Sequence, residues 1–336
     1  MPVISLCSWL GKKNFGDDEL HKETIRFFRK ELFCDTLSYS DISEHGVING
    51  RKYPPIYNDV VVIGPGGVVT KGYWAFKYLD GLINAKKKVI FFNVNVNTSA
   101  NPLIPKLKKL NALWIVRDLD SIKYLNSHGM SSVVYAPDLC FERFKNSRKL
   151  VKDKVLTVNL NHYVFRGLFS SQYIDRLQAE NALEAIKGFL LWMMEFNWRI
   201  QLYPAQTDQK TDDRLINAYM QGLMQGKCEL LLDNDIRHLY NSSFILGSRY
   251  HVSIWGLSNL VPTIQICSHS KNFNLFYDIG MPACAVDYYS LTKESLIQAA
   301  ITTENNPNYR ENIDNYRVTF RDGWETVRQT VETYIN

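Results

Sequence analysis

What most limits the fold of this chain is an alternation. Short apolar runs rich in Val, Ile and Phe are separated by longer stretches of helical period, the pattern of parallel sheets joined by crossover helices. Strands are expected over "VISLCSW", "DVVVIG", "KVIFFNV", "LWIV" and "SVVYA" in the first half, and over "VLTVNL", "RIQLY", "CELLL", "SFILG" and "TIQIC" in the second. Helices are expected over "DDELHKETIRFFRKELF", "SQYIDRLQAENALEAIKGFLLWMMEF" and "DDRLINAYMQGLMQ". The two series are set apart by the polar, basic stretch "ERFKNSRKLVKDK" around 142 to 154. They predict an α/β chain of two Rossmann-like domains, 1–148 and 149–336, with a hinge between; one continuous sheet is the second choice. The length of 336 residues agrees, since domains commonly run to ~150 residues. The tail from "NYRENIDNYR" onward is amphipathic and is expected to pack back across the junction as a helix. The Asn-rich "NVNVNTSANP" reads as a loop.

Composition removes several classes of function. The 39 basic and 34 acidic residues are interspersed, giving a net charge of +5 without a concentrated basic face, so no nucleic-acid partner is expected. The runs "KKK" and "KLKK" read as solvated helix ends. Six cysteines are scattered singly with no CxxC pair, which favours reduced thiols in a cytosolic protein and no metal site. No segment reaches ~18 uninterrupted apolar residues and the N-terminus lacks a basic leader. The chain reads as soluble, untargeted and cytoplasmic.

In open α/β sheets ligands lie beyond the carboxyl ends of strands, so the residues there are the candidates. "NFGDDEL" follows the first strand. Asn14 and Gly16 would shape the turn, and Asp17 or Asp18 would cap the helix. A carboxylate in that place also suits a general base for a sugar hydroxyl, with Asp17 preferred. "GPGG" after the next strand sets Gly64, Gly66 and Gly67 where backbone N–H groups could approach a ligand, although it is not the dinucleotide fingerprint. In "VRDLDS" Arg117 reads as the partner of a core carboxylate and Asp118 as a helix cap; in "APDLCF" Asp138 reads as a turn anchor.

The sharpest feature is "FILGSRYHVSIWGL" at 244 to 257. If "FILG" is a buried strand and a helix starts after it, Arg249 and His251 stand at the strand's carboxyl end beside free helix N–H groups. A guanidinium there can hold an anion through two parallel bonds, and a histidine can donate a proton near neutral pH. The bland alternative is an Arg paired to an unseen acid and a satisfied core His. The next strand leads to His269 and Lys271, so Arg249, His251 and Lys271 are expected to converge.

In this order of motifs, from "NFGDD" through "VVVIGPGG", "VRDLDS", "PDLCF" and "SRYH" to Lys271, the chain resembles the polysaccharide pyruvyl transferase family. The resemblance implies a GT-B-like pair of domains facing a cleft, with the acceptor on the first and phosphoenolpyruvate on the second. It implies phosphoenolpyruvate as co-substrate, no further cofactor, no metal, and a pyruvyl ketal formed on a sugar of a surface polysaccharide or its lipid-linked precursor. By the resemblance Arg249, His251 and Lys271 would contact the donor, with Tyr250 beside them; from the chemistry of ketal formation, His251 is expected as general acid and Asp17 as the acceptor's base. Asn14, Gly66 and Gly67 would complete the binding set. Where the family carries another arginine after the first strand of the second domain, this chain has Asn159 and Asn161; either Arg166, a few residues on, takes its place or the donor is held differently. Peripheral association with the inner membrane face and a homo-oligomer are left open.

The acceptor's rings could be met by Trp9, Phe15, Tyr73 or Trp74, residues that at their spacing also suit a core. A second class is a glycosyltransferase using a nucleotide sugar, whose pyrophosphate would meet the same cations. A third is a carbohydrate-binding protein that keeps the fold without turnover.

Overall fold

Apolar runs long enough to be covered on both faces form the centre of each half. A computed structural model describes residues 3–8, 13–39, 46–48, 51–53, 58–70, 72–145, 153–208 and 211–336. By its internal contacts the chain divides into two units, one of Met1–Gly11, Asp17–Leu139 and Arg317–Asn336, the other of Lys12–Gly16 and Cys140–Tyr316. The division falls at Leu139, earlier than the expected boundary at 148, and the short segment Lys12–Gly16 counts with the second unit. Of the expected hinge stretch, residues 146–152 lie outside the described residues, as does Trp9.

The first unit holds a six-stranded sheet of β1 (Val3–Cys7), β2 (Asp35–Tyr39), β5 (Val60–Ile63), β6 (Lys88–Val94), β7 (Asn111–Val116) and β8 (Val133–Tyr135). The order is β2-β1-β5-β6-β7-β8, with every pairing parallel. β3 (Gly46–Ile48) and β4 (Arg51–Tyr53) form a separate antiparallel pair. Crossovers run through α1 (Phe15–Lys30), α2 (Leu79–Asn84), α3 (Ile104–Leu107) and α4 (Leu119–Ser127). α1 carries Asp17 and Asp18 in its first turn and Arg29 and Lys30 in its last, both of favourable sign for the helix dipole.

Two buried polar clusters lie in this unit. Arg117, at the end of β7, pairs with Asp138 at 2.6 Å, the two side chains 1% and 0% exposed, as its reading as a core partner requires. Its Nε donates to Asn95 Oδ1 at 2.6 Å, and Asn95 in turn bonds Asp118, which caps α4 by accepting from Ser121 N. On α1, His21 is 5% exposed and its Nδ1 lies 2.7 Å from Ser8 Oγ. Burial pushes its pKa from 6.5 down to about 4. The unfolded chain therefore takes up this proton first. The stabilisation by neutral His21 is complete above pH 6.5 and is lost as pH falls toward 4, an effect of about 3 kcal/mol. Urea unfolding of the native chain and of His21→Gln across that range checks it: the variant should show a flatter loss of stability with acid, and parallel curves would refute it.

The second unit holds β9 (Val155–Asn159), β10 (Arg199–Leu202), β11 (Glu229–Leu230), β12 (Phe244–Gly247), β13 (Thr263–Cys267) and β14 (Ala285–Asp287). The order is β11-β10-β9-β12-β13-β14, again all parallel. Its helices are α5 (Cys140–Arg143), α6 (His162–Phe165), α7 (Tyr173–Glu195), α8 (Asp213–Leu223), α9 (Tyr250–Ser258), α10 (Ser270–Asp278) and α11 (Lys293–Glu304). β9, β12 and β13 are buried at every position, as suits strands covered by helices on both faces. All nine residues of α9 are buried, so its apolar composition on every side is that of a core helix rather than an amphipathic one.

The last helix, α12 (Tyr309–Ile335), begins with residues of the second unit and from Arg317 packs in the first. There Trp324 Nε1 donates to Pro137 O at 3.0 Å, and its ring lies 5.4 Å from Phe27 and 5.5 Å from Phe92. Among the described residues no helix is long and apolar enough to cross a membrane. All six cysteines are buried and outside any disulfide.

Candidate active site

Where neighbouring strands of a doubly wound sheet lead off in opposite directions, a crevice opens at their carboxyl ends. In the second unit that point lies between β9 and β12, and the chain loads it with Asn159, Ser248 and Arg249. Asn159 Nδ2 donates to Tyr203 O at 3.0 Å, and its Oδ1 accepts from Arg249 N at 3.0 Å. This amide joins the exits of three strands, and no cation in its place could accept from Arg249 N. Asn161 caps α6, accepting from Tyr163 N at 2.9 Å.

The centre of the network is Asp213, a residue the sequence reading passed over. It opens α8, its neighbour Asp212 serving as the cap, and it is 0% exposed. Its carboxylate accepts from the backbone N–H of His162 at 3.0 Å, Ala205 at 3.2 Å and Gln206 at 3.1 Å. It also accepts from Arg249 Nε at 3.0 Å and Nη2 at 2.6 Å. The bidentate grip on an anion expected of Arg249 is therefore corrected: Asp213 occupies that edge of the guanidinium. Nη2 also reaches Thr211 O at 3.5 Å, and among the described residues no group takes Nη1. The guanidinium, with 13% of the side chain exposed, is held in one orientation with one nitrogen in reserve.

His251 lies in the first turn of α9 and is 8% exposed. Its ring packs edge-on to Tyr250, centroids 5.3 Å apart. A Cβ added to Gly16 would lie 1.9 Å from His251 Nδ1, so Gly16 is required for the room it leaves the imidazole, beyond any role in the turn. The segment carrying Gly16 is fastened to the second unit by Phe15 N donating to Ala205 O at 3.0 Å and Thr207 N to Lys13 O at 3.2 Å. Asn14, expected among the substrate-binding residues, belongs to this fastening: its Oδ1 accepts from Gly16 N at 3.1 Å and its Nδ2 donates to Gln206 Oε1 at 3.4 Å. Lys271, half-buried in the first turn of α10, sets its Nζ 6.0 Å from the Tyr250 ring centroid, near the outer limit of cation–π attraction. Buried Tyr250 thus has both Lys271 and His251 within reach of its ring.

Arg166 lies elsewhere. It is exposed, stands 5.3 Å over the Tyr163 ring, and lines a cavity of about 580 Å³ together with His269. Burial lowers the pKa of His269, and the charges of Lys271 and Arg166 lower it further. His269, Arg166 and Lys271 therefore share one electrostatic field.

In the first unit the corresponding crevice lies between β1 and β5. The Gly64–Pro65 peptide there is cis, and Gly66, at φ 101°, has a conformation that favours glycine. Asp17 stands beside it, Oδ1 3.7 Å from where a Gly66 Cβ would be. The expected approach of Gly66 N–H to a ligand is corrected, since that group donates to Asn93 O at 3.1 Å. Gly67 is exposed, with open space where its Cβ would be, and is the accessible glycine of the loop. Of the aromatic candidates, Tyr73 is 3% exposed with Oη donating to Cys7 O at 3.0 Å, and Phe15 stacks on Phe144 at 5.2 Å; both are core.

Two doubly wound parallel sheets of this kind define a protein of the GT-B-like class. The fold is similar to that of UDP-GlcNAc 2-epimerase from Neisseria meningitidis, solved bound to UDP-GlcNAc, at TM-score 0.61 and 11% identity over 99% of this chain and 100% of that one. It is also similar to S. aureus MnaA, solved with UDP, at TM-score 0.61 and 11% identity over 93% and 90% of the two chains. The pneumococcal O-GlcNAc transferase GtfA, in complex with UDP and GlcNAc, matches at TM-score 0.53 and 10% identity over 89% of this chain and 67% of the other. Identities this low establish the fold alone. The family model for polysaccharide pyruvyl transferase matches residues 14–271, and the chain belongs to that family of transferases. No curated protein matches it in sequence.

Proposed function

We propose that the chain transfers the pyruvyl group of phosphoenolpyruvate to two hydroxyls of a saccharide, forming a ketal and releasing inorganic phosphate. The observation that supports the proposal is a buried imidazole after β12, His251 seated against Gly16, with Lys271 near the ring of its neighbour Tyr250, in a member of this family. Lys271 and the remaining Arg249 nitrogen would meet the donor's phosphate and carboxylate, charges that need fixed positive partners in a site shielded from water.

In the proposed reaction His251 delivers a proton to the methylene carbon, leaving C2 open to attack. One sugar hydroxyl forms a bond to C2 as its proton leaves to a carboxylate base. The C2–O bond to phosphate then breaks, a second hydroxyl closes the ketal, and its proton departs with the phosphate. Two hydroxyl protons are thus balanced by one gained at carbon and one by phosphate. The phosphate leaves once carbon is protonated, so the reading calls on phosphoenolpyruvate as co-substrate and on no resident cofactor or metal.

The likeness to a GlcNAc transferase solved with UDP supports a second reading, glycosyl transfer from a nucleotide sugar. Incubating the chain with a saccharide panel and either phosphoenolpyruvate or UDP-GlcNAc separates the two. Inorganic phosphate released only with phosphoenolpyruvate and acceptor is the expected result; UDP release with no phosphate overturns the proposal.

A further inference from the structure

The cavity of about 580 Å³ in the second unit is much larger than a three-carbon donor requires, and Arg249, His251 and Lys271 do not line it. It opens beyond β9, β13 and β14, whose exits supply Arg166, Ser268, His269 and the pair Tyr288 and Tyr289. Three kinds of group meet there. Aromatic faces come from Tyr163, 54% exposed, Phe169, 61% exposed, and Tyr289, 68% exposed, which is apolar area left toward solvent at the mouth of a cavity. Two nitrogen-bearing side chains, the guanidinium of Arg166 and the imidazole of His269, have no hydrogen-bonding partner among the described residues. Hydroxyl-directed groups complete the wall: Asp175, which accepts from Ser170 Oγ at 3.2 Å, and Ser268, whose buried Oγ has no partner among the described residues.

We propose that this cavity binds a saccharide bearing one negatively charged group, the ring lying against the tyrosines and the anion against Arg166 and His269. Ring faces stack on aromatic side chains, and a planar guanidinium matches a phosphate or carboxylate. The carboxylate of Asp175 suits sugar hydroxyls and opposes a second negative charge, which argues against a nucleoside diphosphate. His269 is two residues from Lys271 in sequence, so the cavity adjoins the proposed donor site through the first turn of α10. Assignment of its ligand as the acceptor rests on the pyruvyl-transfer reading; the binding itself does not.

Calorimetric titration of the whole chain with glucose 1-phosphate, galactose 1-phosphate and glucuronate tests the proposal and separates the two sources of the anion. Saturable binding of at least one is expected, with glucose, galactose and inorganic phosphate each about tenfold or more weaker. Arg166→Ala and Tyr289→Ala remove exposed side chains, and each should weaken the charged sugar by about tenfold without lowering the melting temperature. Absence of saturable binding by all three charged sugars, or binding indifferent to both substitutions, overturns the proposal. Arg166-dependent binding of UDP or phosphoenolpyruvate that no charged sugar displaces also overturns it. Charged sugars that bind while phosphoenolpyruvate yields no phosphate refute pyruvyl transfer alone; phosphate release without charged-sugar binding refutes the cavity assignment alone.

Discussion

Asp213→Ala is expected to cost the second unit about 3–5 kcal/mol, since removing one partner of a buried ion pair leaves the other charge without compensation. The loss is larger than one ion pair implies, because the same carboxylate also receives the backbone N–H groups of His162, Ala205 and Gln206. Phosphate release from phosphoenolpyruvate should fall with it, as Arg249 loses the partner that orients it. Denaturant unfolding followed by circular dichroism measures the first effect and a phosphate assay on the folded fraction the second. The double variant Asp213→Leu with Arg249→Met removes both charges and should recover part of the stability while remaining inactive. A loss for Asp213→Ala no larger than that of an ordinary surface substitution would mean that the carboxylate does not hold the three strand exits together.

His251→Gln should lower turnover with phosphoenolpyruvate by about 10²–10⁴, the usual share of a positioned proton donor. Glutamine keeps much of the volume and polarity of the imidazole beside Gly16 but cannot deliver a proton to carbon. The expectation is therefore a fall in kcat with little change in KM and a melting temperature close to that of the native chain. His251→Ala should be equally inactive and less stable, since it empties a site 8% exposed. Unchanged phosphate release by the glutamine variant would remove His251 from the chemistry.

Much of the architecture was legible because parallel strands buried on both faces must be apolar throughout. The runs at β5, β6, β9, β12 and β13 show it plainly. β2, with the sequence "DTLSY", and the short β14, "AVD", escaped the reading. They lie at sheet edges, where polar residues are tolerated and no continuous run marks them. "CELLL" holds only the two residues of β11, also at a sheet edge.

The candidate site's placement was legible in part. Strand exits pointed to Arg249, His251 and Lys271, since a cation after a buried strand is unusual. What each cation faces was not, because those partners are distant in the chain. Asp213 is 36 residues from Arg249 and sits in an acidic doublet that reads as routine helix capping. The available signal was the doublet itself: one carboxylate suffices as a cap, and Asp212 fills that role through Arg214 N, leaving its neighbour for another task. Gly16 and His251 meet only through the fold, and no local pattern announces a glycine whose use is to leave space. Arg166 stood out as a cation, but its cavity depends on residues following three separate strands.

The complete enclosure of α9 has a consequence for how such a catalyst could be altered. A helix walled in on every side offers no slack by which Tyr250 or His251 could adapt to a new ligand, so the end proposed to donate the proton is effectively a fixed machine part. The tyrosine-lined mouth near Arg166 is built from solvent-facing side chains and can be recut without disturbing the interior. If the cavity binds a saccharide as proposed, redesign for different sugars belongs at that rim, whereas substitutions within the enclosed helix trade directly against folding.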